Sequence, residues 1–108
     1  MSDPRQIQYL AAIAAASTLV VRLDPAPTGL DIACWPWSPT EVTITLNAHV
    51  DLAAIRAWAA ELGAEVTSKP HGNGNICWSL STTVAGIAVE AYTLLSPDED
   101  EQQAGGAE

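Results

Sequence analysis

The chain has no phenylalanine, one methionine and only four lysines and arginines among 108 residues. Each shortage excludes something. Without Phe, the bulk of any core falls to Leu, Ile, Val and the four tryptophans. Four bases against 13 acids leave no cationic patch to neutralise a phosphate backbone, so direct nucleic-acid binding is not expected. No apolar run is long enough to span a bilayer. The longest, Tyr9–Val21, follows a neutral Ser-Asp-Pro-Arg flank where an export signal carries positive charge. The sequence therefore points to a cytoplasmic chain with no membrane contact, and Cys34 and Cys77 read as thiols. G-x-S-x-G, G-x-x-x-x-G-K, G-x-G-x-x-G, H-x-x-x-H and C-x-x-C are all missing. No cofactor is implied, and the reading leans away from an enzyme.

What is present is a foldable body. Apolar residues make up 48% of the chain, enough for one packed domain without metal or disulfide support. The net charge of −9 is unevenly spread. The tail from Pro97 holds Asp98, Glu99, Asp100, Glu101 and Glu108 with no base, and is expected to be a disordered acidic segment over 97–108. Residues 1–96 form the expected domain.

The stretch Asp51–Gly63 is a complete helix in outline. Asp51 can cap it, Leu52, Ile55, Trp58, Ala59 and Leu62 share a face, and Gly63 stops it. An earlier helix starts at Asp3-Pro4, its apolar stripe running through Ile7, Leu10, Ile13, Ala14, Val20 and Val21. Strands are expected at 30–35, 41–48, 64–68, 76–83 and 87–95, with Lys69–Asn75 as a loop. The order is α-β-β-α-β-β-β. It predicts an α+β fold: a mostly antiparallel five-stranded sheet with two helices on one face. Strands 30–35 and 41–48 form a hairpin, and a right-handed crossover through Asp51–Gly63 makes 41–48 and 64–68 parallel neighbours. Alternation puts Cys34 and Cys77 on opposite sheet faces, which forbids a bridge between them.

Within His49–Val66, the run Asp-Leu-Ala-Ala-Ile-Arg-Ala-Trp-Ala-Ala-Glu-Leu-Gly (51–63) resembles small uncharacterised proteins of actinobacteria and their phages or integrative elements. The resemblance covers under a fifth of the chain. It implies an accessory role and carries over no catalytic residue.

Three places can carry function. The crossover gathers His49, Asp51, His71, Asn73 and Asn75 at one sheet edge, where imidazole and carboxylate would suit a metal or an acid–base pair. Against this, Asp51 is already a cap, and Asn73 and Asn75 are ordinary turn residues. The turn Trp35-Pro36-Trp37-Ser38-Pro39 exposes at least one tryptophan, because its side chains alternate. The sheet face away from the helices is small and polar, with Trp35 and Tyr92 on it. Trp35, Trp37 and Tyr92 are the expected partner-binding residues. The leading expectation is a protein-binding adaptor, possible homo-oligomerisation included. The alternatives are an acidic inhibitor of a nucleic-acid-binding protein and a small metal protein using His49, Asp51 and His71.

Overall fold

The computed structural model describes residues 3–105. Helix α1 spans Pro4–Arg22, strands β1 and β2 span Gly29–Ala33 and Thr43–Asn47, and helix α2 spans Leu52–Leu62. Strands β3, β4 and β5 follow at Val66–Pro70, Ile76–Val84 and Ile87–Leu95, then helix α3 at Pro97–Gln103. The fold is α+β. The five strands lie in the order β1-β2-β5-β4-β3, antiparallel except for the β2–β5 pair.

The expected β1–β2 hairpin forms, with Leu30 opposite Leu46 and Ile32 opposite Ile44. The crossover through α2 is longer than expected. β2 and β3 point the same way, but β5 and β4 lie between them, so they are not neighbours. The cause is β5. Its alternation is complete from Ile87 to Leu95, with every odd residue buried, which makes it a central strand. The tight Ala85-Gly86 turn, with both residues at positive φ, pairs β4 with β5 and leaves β3 at the far edge.

α2 is built as its sequence suggests. The Asp51 carboxylate accepts from the Ala54 N–H at 3.0 Å, and Gly63 closes the helix at φ 66°. Nothing crowds a Cβ at Gly63, so Gly63→Ala should cost only backbone strain, about 1 kcal/mol. A melting temperature lower by a few degrees would show it. Trp58, fully buried, is the largest core side chain, and its indole N–H donates to the Pro25 carbonyl at 2.7 Å. The same core holds Leu52 and Ile55 from α2, Ile44 and Leu46 from β2, and Val89, Ala91 and Leu95 from β5.

α1 presents the opposite face from the one its stripe predicts. Ala12, Ala15, Ala16 and Leu19 are buried, while Ile7, Leu10, Ile13, Val20 and Val21 are exposed. Two bonds accompany this rotation. The Tyr9 hydroxyl accepts the Cys34 N–H at 3.2 Å, and Arg22 reaches the Glu61 carboxylate at 2.9 Å. The buried alanines occupy little space between the α1 backbone and the rest of the core.

The acidic segment after Ser96 is folded as far as Gln103, where a disordered tail was expected. Ser96 and Glu99 form a reciprocal capping box, Pro97 occupies the first turn, and Asp98, Glu99 and Asp100 complement the helix dipole. The helix is also stitched to the body. The Trp78 indole N–H donates to Asp100 Oδ1 at 2.6 Å. Gln103 accepts from the Leu52 N–H at 2.8 Å and donates to the Val50 carbonyl at 3.1 Å. The end of the expected tail, residues 106–108, lies outside the described residues.

Candidate functional site

All three helices pack on the sheet face formed by Ile44, Leu46, Leu80, Val89, Ala91 and Leu95. The other face has no helix on it among the described residues. Its rows are small: Ala33, Thr43, Ala88 and Thr83 in one, and Asp31, Thr45, Glu90 and Ser81 in the next. Cys77 lies on this outer face opposite Lys69, while Cys34 is buried, so the two thiols are free and face apart.

At the β1–β2 end of this platform stand the two tryptophans. Ser38 donates its N–H to the Trp35 carbonyl at 3.0 Å, closing a β-turn with Pro36 at its second position. A turn does not alternate its side chains as a strand does. Trp35 and Trp37 therefore project together and stack, with centroids 5.2 Å apart and planes 8° from parallel. Both are exposed, at 56% and 78%. The loop beneath is anchored. The Cys34 thiol donates to the Pro39 carbonyl at 3.5 Å, and the Ser38 hydroxyl to the Glu41 carboxylate at 2.8 Å. Beside Trp35 lies a cleft of ≈ 390 Å³ lined by Arg5, Tyr9, Asp31, Ala33, Cys34 and Pro36. Arg5 is paired with Asp3 at 2.7 Å; that side-chain hydrogen bond, foremost, holds the Asp3 carboxyl below its usual range.

Tyr92 belongs elsewhere. It sits on β5 opposite Asn47, four residues from Ala88 and so about 13 Å along the strand from the row that leads to Trp35. Its hydroxyl accepts from the Asn47 amide at 3.4 Å, and it shares a shallow cavity of ≈ 290 Å³ with His49, Val50 and Leu94. The expected trio of Trp35, Trp37 and Tyr92 is thus split between the two ends of the sheet.

The histidine edge is split sideways. His49 follows β2 and His71 follows β3, at the same end of the sheet. Three inter-strand steps separate those strands, about 14 Å. Asp51 is engaged as the α2 cap, with its own N–H on the Thr93 hydroxyl at 3.0 Å. Asn73 takes the left-handed conformation in a short 3-10 turn at Gly72–Gly74, and Asn75 accepts the His71 N–H at 2.7 Å. No three His, Cys, Asp or Glu side chains gather into a metal-binding group among the described residues.

The exposed apolar side of α1 runs against the sequence expectation. Its signal was present: Ala12, Ala15, Ala16 and Leu19 also recur at helical spacing, and in an alanine-rich helix either stripe can be the inner one. No helix among the described residues is long and apolar enough to cross a membrane. The chain matches no protein-family model, no curated protein and no solved structure.

Proposed function

We propose that this protein is a non-catalytic binding module that recognises a protein partner through Trp35, Trp37 and the adjoining outer sheet face. The observation that carries the reading is the stacked tryptophan pair, both rings exposed on a turn held by hydrogen bonds from Cys34 and Ser38. The pair leaves on the order of 300 Å² of aromatic surface in water, and their mutual stacking offsets only about 1 kcal/mol of that exposure. Tryptophan is the residue most enriched in interaction hot spots, and a turn already fixed by Pro36 has little entropy left to lose on binding. The surrounding surface supports the same reading. The first row beside the pair, Ala33, Thr43, Ala88 and Thr83, is small and uncharged. The proposed setting is cytoplasmic, as an accessory component of an actinobacterial cell or mobile element.

The acidic-inhibitor reading has less support. Of the four acids clustered in α3, Glu99 is held by its capping box and Asp100 by Trp78, which leaves the side chains of Asp98 and Glu101 free to reorient toward a basic partner.

Trp37→Ala should leave folding unchanged, since the ring makes no core contact, and should remove partners from affinity capture. Quantitative mass spectrometry of material captured by tagged wild-type and variant protein checks this. Equal recovery of every partner would remove the assigned surface.

A further inference from the structure

We infer that the solvent side of α1 is a homodimer interface, occupied by α1 of a second copy packed antiparallel. Ile7, Leu10, Ala14, Ser17 and Val21 are all exposed and follow the 3-4 spacing of a coiled-coil seam. The seam lies directly opposite the buried Ala12, Ala15, Ala16 and Leu19, so it points away from the body of its own chain. Leu10 is 69% exposed and Val21 85%. Ile13 and Val20 flank the seam, and with Ala16, Leu30 and Ile32 they line an apolar groove of ≈ 480 Å³ beside β1.

Charge selects a second copy as the occupant. The chain carries −9, and two copies repel wherever their acids meet. From Gln6 to Val21 the helix has no charged residue at all. The charges bounding it are neutralised within the chain, Arg5 by Asp3 and Arg22 by Glu61. This is a face on which two such chains can meet without opposing carboxylates, and a neutral seam offers no charge to steer a charged partner. The neighbouring free edge of β1 is less suited, because it carries Asp31.

The pattern is also self-complementary. With the two-fold axis at Ala14, Ile7 lies level with the partner's Val21, and Leu10 falls between the partner's Ser17 and the partner's Thr18. The small Ala14 faces its own copy, so the helix axes can approach to about 8 Å. Antiparallel packing sets the helix dipoles in opposition, which favours it over parallel. The exposed Ile7, Leu10 and Val21 of the seam present on the order of 400 Å² of apolar surface, and Ile13 and Val20 widen the face toward β1. Such a contact is smaller than the roughly 800 Å² per partner of a standard interface, which suits a dimer of micromolar affinity.

Sedimentation equilibrium from about 1 to 500 µM, a range set by ordinary dimer affinities, tests this. The expected mass rises with concentration to twice the chain's 11.3 kDa. Leu10→Lys should raise the dissociation constant at least tenfold, about 1.4 kcal/mol, with an unchanged far-UV spectrum. Val21→Lys, at the most exposed position, should do the same should Leu10→Lys misfold. Trp37→Ala should leave the dimer intact, which separates this interface from the proposed binding face. A monomer throughout the range would overturn the assignment, as would a dimer indifferent to both lysines. A monomeric chain that instead binds phosphatidylcholine vesicles through α1 would assign the face to a lipid surface and overturn it as well.

Discussion

Trp58→Ala is expected to lose about 4–6 kcal/mol, which leaves a domain of ordinary stability barely folded or unfolded. The ring projects from α2, is fully buried and reaches the loop after α1, and no other fully buried side chain among the described residues is as large. Removing it forfeits the transfer energy of an indole and opens a cavity that Leu19, Leu52 and Ile55 cannot all collapse into. It also leaves the Pro25 carbonyl without its 2.7 Å donor, a further ~1 kcal/mol if water does not reach it. Trp58→Phe keeps most of the volume and loses only the N–H, so about 1–2 kcal/mol is expected from it. Urea denaturation followed by far-UV circular dichroism separates the two variants. Equal, small losses for both would mean that Trp58 does not anchor the core.

Deleting residues 97–108 is expected to cost about 2–4 kcal/mol, where removal of a solvated tail would change stability by no more than about 0.5 kcal/mol. Three attachments go at once. The Trp78 indole loses a charge-assisted bond to Asp100, the α2 N-terminus loses the Gln103 amide that accepts from Leu52, and Ala104 no longer packs on the core. The Trp78 bond is worth most, because a 2.6 Å N–H···carboxylate contact on a half-buried indole is stronger than a neutral one. Asp100→Asn isolates it, and about 1 kcal/mol is expected from that change alone. Thermal melts of the full chain, the truncation and Asp100→Asn give the comparison. A truncated chain that melts with the full chain would show α3 to be an ornament on an independent domain.

Local signals were legible and relative placement was not. Asp51, the Leu52–Leu62 face and Gly63 each have one role that their chemistry allows, and α2 formed as its sequence indicated. The β5 alternation and the Ala85-Gly86 turn were equally plain. Strand order was harder. Parallel direction for β2 and β3 follows from the crossover, but nothing local says that two strands will be inserted between them. That insertion is what separates His49 from His71. α1 failed for a different reason. Two stripes with helical spacing compete in it, and the buried one is fixed by packing against residues distant in sequence, with Tyr9 meeting Cys34 and Arg22 meeting Glu61. The acidic end misled through composition. Four consecutive acids suggest solvation, yet Ser96-Pro97 with Glu99 is a strong helix start that the charge count obscures. At the candidate site, the residue types were readable and the geometry was not. The turn at Trp35–Pro39 was expected, but its side chains do not alternate, and so both tryptophans project together.

The central claim is that partner recognition resides in the tryptophan pair and not at the far end of the sheet. It is tested most directly by isothermal titration of a purified captured partner against wild type, a Trp35→Ala/Trp37→Ala variant and Tyr92→Ala. The double variant is expected to bind at least about 30-fold more weakly, the effect of a hot-spot loss of about 2 kcal/mol. Tyr92→Ala is expected to bind as wild type does. Unchanged affinity in the double variant, or a loss confined to Tyr92→Ala, would contradict the claim.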